Sequence, residues 1–181
     1  MDYSQTHKDL VKGCLDNDRK AQFELYKQYS QAMYNICLRM VNNEMEAEDI
    51  LQQSFMDVFS KIHMFKFESS IGAWIKRIVI NNSINFLKKK KLQLTELNEQ
   101  VSSVKIEEVE TSSLNIQVVK DAVHELPEGY RVVFNLYAFE GYDHKEIGAI
   151  LGVTEATSKS QYSRAKRKLK EIIQNDFVEQ Y

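Results

Sequence analysis

Between Glu140 and Ile173 the chain reads EGYDHKEIGAILGVTEATSKSQYSRAKRKLKEII. Its apolar spacing predicts a short helix from about Asp143 to Leu151, a "GVT" turn, and a longer helix beyond. Gly152 can take the left-handed conformation that ends a helix, and Thr154 can cap the next one. Gly148 offers a small surface where a second helix can approach closely. A helix, a tight glycine-containing turn and a second helix make a helix-turn-helix. On the second helix, at about 100° per residue, Ser158, Tyr162, Ala165, Leu169, Ile172 and Ile173 gather on one side. Lys159, Ser160, Ser163, Arg164 and Arg167 lie round the other. Six cations and one acid, Glu155, fall between Thr154 and Lys170. A solvated amphipathic helix would account for that charge alone. The turn before it, and the small hydroxyls Thr157, Ser158, Ser160 and Ser163, leave room for a groove and can bond phosphates or base edges. DNA binding is therefore the favoured reading.

Composition sets the frame for the rest. The 181 residues suffice for one medium domain or two small ones. With 43% hydrophobic and 28% charged residues the chain reads as soluble and globular, and one proline with six glycines favours helices over a sandwich or barrel. A net charge of -2 does not advertise nucleic-acid binding, so the placement of charge matters more than its sum. Cys14 and Cys37 have no metal-binding spacing and are expected to be buried thiols in a reducing cytosol; the histidines share no ligand spacing either. No metal, cofactor or catalytic residue is expected. No stretch approaches a signal-peptide core or the roughly 18 apolar residues of a membrane span, so a cytoplasmic protein without membrane insertion is expected.

Almost every periodic segment has the helical period. From Asp18, a candidate N-cap, apolar residues recur at Leu25, Tyr26, Tyr29, Met33, Ile36, Cys37 and Met40 until the polar break Asn42–Glu44. A helix beginning near Met45 turns Leu51, Phe55, Val58, Phe59 and Ile62 inward. After a link holding Phe65 and Phe67, Ser69 can cap a third helix running through Trp74 and Ile78 to Leu87. From Leu92 to Asn115 the aromatics vanish, and Glu96, Glu99, Glu107, Glu108 and Glu110 face only Lys105. That composition predicts a flexible acidic linker. Helices resume near Ile116, and Pro127 suits the first turn of one of them.

Two surfaces in the N-terminal half stand out. Asp49, Gln52, Gln53 and Met56 form a polar stripe ending in a methionine, with no cation before Lys61, which suits docking onto a basic protein surface. The helix behind Phe65 and Phe67 carries Lys76, Arg77 and Lys88 to Lys91 with no acid. Its cations suit phosphates, and loop aromatics beside a cationic helix can hold unstacked bases.

In order, "EAEDILQQSFMDVF", "FKFESSIGAWIKRIVIN" and "ELPEGYRVVFNLYAFEGYDHKEIGAILGVTEATSKSQYSRAKRKL" resemble regions two and four of bacterial RNA polymerase sigma factors. The short two-domain type, the extracytoplasmic-function (ECF) sigma factors, is the match, over about residues 7–91 and 116–173. The resemblance implies an all-α protein: a region-two-like domain over 1–91, an acidic linker over 92–115 and a region-four-like helix-turn-helix domain over 116–181. It implies no enzyme but a factor that binds core RNA polymerase, recognises −10 and −35 promoter elements and aids melting. Asp49, Gln52, Gln53 and Met56 would meet the coiled coil of the polymerase's largest subunit, the flap being a further contact. Phe65, Lys66, Glu68 and Ser69 would capture a flipped −10 base, with Arg77, Asn81, Asn85 and Lys88 along the DNA. Thr157, Lys159, Ser160, Ser163, Arg164 and Arg167 would enter the −35 major groove. An anti-sigma protein is the remaining implied partner. The chain departs from the family pattern at Asn85, Lys88, Gly148 and Ala156, where Asp, Arg, Ala and Gly are frequent.

The residues alone leave two other classes standing. A helix-turn-helix repressor or activator with an N-terminal sensing domain would bind its operator tightly by itself. A nuclease would need convergent carboxylates or histidines, and the dense acids lie only in the linker or along Glu44 to Asp49.

Overall fold

The computed structural model describes residues 3–94 and 116–179, and 84% of these are α-helical, in eight helices with no strand among them. The chain divides into two compact units, Met1–Leu94 and Thr95–Tyr181. The first holds α1 (Tyr3–Leu15), α2 (Arg19–Val41), α3 (Glu44–Lys61) and α4 (Ile71–Leu94); the second holds α5 (Ile116–His124), α6 (Glu128–Ala138), α7 (His144–Leu151) and α8 (Glu155–Glu179). Of the segment read as a linker, residues 92–94 extend α4, and 95–115 lie outside the described residues.

In the first unit the breaks are set by short amide and carboxylate side chains. The Asp18 carboxylate accepts from the Lys20 amide at 2.8 Å and starts α2. Asn42 takes a left-handed conformation (φ 55) and closes α2 through its amide on Leu38 O, while the Asn43 side chain accepts from the Glu46 amide and opens α3. One Asn–Asn pair thus ends one helix and begins the next. The helix after the aromatic loop is opened by Ser70, not by Ser69 as expected: the Ser70 hydroxyl accepts from the Ala73 amide at 3.2 Å, and Ser69 points to the Ser70 carbonyl. Two adjacent serines are indistinguishable by type, and helical register selects between them.

The core of this unit interleaves Leu25, Met33, Ile36, Cys37 and Met40 of α2, Ala47, Ile50, Leu51, Phe55 and Val58 of α3, and Ile71, Ile75, Val79, Ile84 and Leu87 of α4. Spacing near the helical period puts these on one face of α2 and of α3, whereas those of α4 cover a broader arc, as suits a helix packed against both. Val11 and Cys14 of α1 are equally buried, so α1 closes the bundle against α2. Tyr26, expected inward, is 36% exposed and meets the edge of Phe55 at 4.7 Å between ring centroids.

In the second unit Ala122, Val123, Leu126, Phe134, Ala165, Leu169, Ile172 and Ile173 form one cluster that joins α5, α6 and α8. Arg131 is buried there, and its guanidinium donates to the Leu126 carbonyl at 2.8 Å and the His124 carbonyl at 3.4 Å. It satisfies acceptors left open at the end of α5. Asp143 and Glu146 form a reciprocal capping box on α7, and Gly152 ends that helix at φ 75. A Cβ on Gly148 would lie 2.8 Å from the Val153 carbonyl oxygen, so glycine lets the turn fold directly onto α7. The Thr154 hydroxyl then accepts from the Thr157 amide at 3.0 Å and opens α8.

Candidate nucleic-acid interface

On α8 the two faces separate as the sequence predicts. Ser158, Ala165, Leu169, Ile172 and Ile173 are buried, whereas Lys159 and Ser160 are exposed and Thr157, Ser163, Arg164 and Arg167 are partly exposed. Ser158, however, is no surface hydroxyl. It is fully buried and lies 3.0 Å from His144 Nδ1, while the His144 ring stacks on Tyr137 at 4.5 Å and Tyr137 packs on Tyr162. This polar and aromatic contact holds α7 and α6 against α8. Thr157 is turned toward its cap, its hydroxyl 2.8 Å from that of Thr154, and the Ser160 hydroxyl donates to its own helix at Ala156.

The cations of α8 are not equivalent. Lys159 pairs with Glu155 at 2.7 Å; the hydrogen bond between them lowers the Glu155 carboxyl and raises the Lys159 ammonium from their ordinary pKa values. Arg167 and Lys168 share Glu171, at 3.9 and 3.2 Å. The Lys166 ammonium sits over the Tyr162 ring at 5.2 Å. Arg164 has no ion pair among the described residues, so its charge is uncompensated where the helix faces outward.

In the first unit, Arg77, Asn81, Asn85 and Lys88 are all exposed at steps of four, four and three along α4. They make one continuous polar face on the helix that follows the aromatic loop. Lys90 does not belong to it. Its ammonium pairs with Glu46 at 2.5 Å and ties α4 to α3, so the lysine run expected to meet phosphates is divided between a tie and a free surface at Lys88 and Lys89. Asn82, one step round, donates to Ser54 Oγ at 3.2 Å and to Asp57 at 3.4 Å.

The loop before α4 is anchored by Phe65, only 8% exposed, with ring centroids 5.5 Å from Trp74 and 4.7 Å from Phe67. Phe67 is 51% exposed and sits at φ 60, a conformation that side-chain-bearing residues rarely hold. Lys66, Glu68 and Ser69 are exposed beside it. Both phenylalanine rings line a cleft of about 500 Å³. The outward ring is thus Phe67, one of the two loop aromatics read as able to hold unstacked bases but not among the four loop residues the resemblance selects. Two aromatics separated by one residue gave no periodic signal to tell anchor from exposed ring.

On α3, Asp49, Gln52, Gln53 and Met56 are exposed as a stripe, with Met56 at 66%. Gln53 turns along the helix to donate to Asp57 at 3.1 Å, and Asp57 is held by Lys61 at 2.9 Å. The Lys61 contact is the main reason the Asp57 carboxyl lies below its ordinary pKa. Met45, one turn before Asp49, is 75% exposed and extends the stripe. Extending the same spacing backward would have found it. Among the described residues no group of three His, Cys, Asp or Glu side chains could hold a metal, and no helix is long and apolar enough to cross a membrane.

A helix-turn-helix with an uncompensated arginine, and a second cationic helix behind an aromatic loop, define an all-helical, two-unit DNA-binding protein. Comparison with known proteins narrows the class. The Sigma-70 region 2 family matches residues 25–93, and the Sigma-70, region 4 family matches residues 116–169. The chain belongs to the ECF sigma factors of bacterial RNA polymerase, non-enzymatic factors that bind the core enzyme and promoter DNA and direct promoter-specific initiation. "ECF RNA polymerase sigma factor SigM" of Bacillus subtilis (strain 168) is 28% identical over 152 residues, 82% of this chain and 93% of that protein. "ECF RNA polymerase sigma factor SigW" of the same organism is 26% identical over 181 residues, 93% of this chain and 97% of that one. The fold is shared with the sigma factor RpoE of Bartonella quintana, solved with the anti-sigma factor NepR (24% identity, TM-score 0.56, 83% of this chain and 95% of that chain). It is shared too with CnrH, solved with the cytosolic domain of CnrY (19% identity, TM-score 0.55, 94% and 98%).

Proposed function

We propose that the two units divide promoter recognition. Residues 1–91 take the −10 element and the polymerase, 116–181 take the −35 element, and 92–115 tether them. The observation behind this division is the pair of outward cationic faces, one per unit, each beside a feature suited to contact with bases. On α4, Arg77, Asn81, Asn85 and Lys88 follow a cleft lined by Phe65 and Phe67. On α8, Arg164 and its hydroxyl neighbours follow the turn of a helix-turn-helix.

Each face alone offers few phosphate contacts, which at cellular salt gives weak and unselective binding. A tether raises the effective concentration of the second face once the first has bound. A polymerase that fixes the distance between them then makes promoter spacing part of the specificity. Melting needs no bond chemistry from the chain: the cleft and the cationic face stabilise the open strand against the few kcal/mol that unstacking costs per base. The stripe Asp49, Gln52, Gln53 and Met56 docks on the largest subunit's coiled coil, and the second unit reaches the flap. The chain works in the cytoplasm and is restrained by an anti-sigma protein, as RpoE and CnrH are bound in their complexes.

The test is reconstitution. Purified chain added to core polymerase should give run-off transcripts from discrete start sites. With Arg164→Ala the −35 sequence preference should relax. Tight, sequence-specific binding by the chain without polymerase would instead support a repressor. Affinity capture from the native cell with mass spectrometry should return polymerase subunits together with the inhibitor.

A further inference from the structure

The cleft beside the aromatic loop is not built by the loop alone. Its lining joins Phe65, Phe67 and Ser69 to Tyr29 from α2 and Lys8 from α1, with Gly72 of α4 at its side. A Cβ on Gly72 would lie 2.7 Å from Tyr29 Cε1, so the tyrosine ring rests directly on the first turn of α4. Lys8 is exposed and Tyr29 half-buried, whereas Val11, one turn beyond Lys8, is locked in the core. The wall that α1 contributes is therefore fixed by packing. Phe67, also in the lining, is held at φ 60 with its ring against Phe65, so that part of the cleft is shaped before any ligand arrives.

We propose that Tyr29 and Lys8 are contact residues of this cleft: Tyr29 forms the second aromatic wall against which one unstacked nucleobase lies, and Lys8 holds its phosphate. This rests on the reading of the loop given above and extends it to two helices outside the loop. The chemistry fits that occupant. About 500 Å³ is within the range of small-ligand sites. Aromatic faces stack any base, a serine hydroxyl at the rim can bond a base edge, and a single exposed ammonium suits one phosphate. An apolar ligand would have no use for the cation, and a free anion none for the rings.

The experiment uses holoenzyme assembled from core polymerase and the full chain. Its probes are single-stranded DNAs selected by that holoenzyme from a randomised non-template strand, each remade with one nucleotide abasic. For the parent chain, one abasic position should lower affinity about tenfold or more, the loss of one stacked base. Tyr29→Ala should weaken the intact probe by a similar factor and add nothing further at that one abasic position, while remaining additive elsewhere. Tyr29→Phe should keep most of the affinity. Lys8→Ala, at an exposed position that spares the fold, should lower affinity about equally on all probes and reduce the salt slope by about one phosphate. If Phe67→Ala is non-additive with one abasic position but Tyr29→Ala is additive with all, the loop captures a base without this wall and the inference is wrong. If Phe67→Ala is additive with all as well, the loop reading itself fails. If Tyr29→Ala unfolds the chain, an unchanged salt slope in Lys8→Ala suffices to overturn the proposal.

Discussion

Gly148 is the residue whose side chain matters by its absence. The Val153 and Gly152 amides both reach its carbonyl at 2.9 Å, and the turn leaves no space for a methyl. Gly148→Ala must push the Val153–Thr154 backbone outward. The expected cost is about 1–3 kcal/mol of stability in the second unit, read as a lower midpoint in thermal denaturation. Cys14 and Cys37 act through the opposite property, complete enclosure. Burial raises both thiols from 9.0 to about 11. Below 9.0 the thiol is protonated in both states and the stability is fully present. As pH rises from there toward 11, the unfolded thiol ionises first, so stability falls through that window and is lost as the folded thiol titrates. Denaturant midpoints of the parent and of Cys37→Ala should converge over this range. Both thiols should resist alkylation at neutral pH until the chain unfolds.

Helix α4 shows at the scale of an element how neighbouring lysines part company. Lys88 and Lys89 are exposed, while Lys90 bridges to Glu46 of α3. A Lys88→Ala, Lys89→Ala double variant should therefore weaken promoter binding across sequences and lower the salt slope by up to about two. Lys90→Ala should have a smaller effect on the slope and loosen the α3–α4 contact, leaving a partly buried Glu46 without its cation. Equal salt slopes in the two variants would contradict that division. The same helices show how far the sequence could be read. The Asn42–Asn43 break, the apolar faces of α2, α3 and α8, and the capped turn at Gly152 were legible because each depends on residue type and spacing within a few positions. The choice of Ser70 over Ser69 was not, since it turns on helical register, and neither were the exposure of Phe67 and the burial of Phe65, which depend on which ring meets Trp74. Lys90 could not be separated from Lys88 because its partner lies 44 residues away. Ser158 was legible twice over, once as a core position by period and once as a groove hydroxyl by type, and period won because His144 supplied the buried partner.

For the molecule as a whole, the low net charge conceals a separation of signs. Asp49 stands exposed on α3, whereas Arg77, Lys88 and Arg164 stand on the faces assigned to DNA. Asp49→Lys should therefore reduce core-polymerase affinity about tenfold, measured by competition against a second sigma factor, while the helicity and melting of the chain stay unchanged. Its effect should shrink as salt rises, since an exposed charge is screened. A loss of helicity alongside the lost affinity would point to misfolding instead.

The guanidinium of Arg131 has a consequence for motion. It stands in α6 yet completes the hydrogen bonding at the end of α5 through the carbonyls of His124 and Leu126. Neither helix end can therefore fray alone without stranding a desolvated cation, whose burial already lowers its affinity for a proton. The end of α5 and the start of α6 should open as one cooperative step. In amide hydrogen exchange their protection should rise and fall together, and Arg131→Met should uncouple them, leaving the terminal amides of α5 to exchange faster than those of α6.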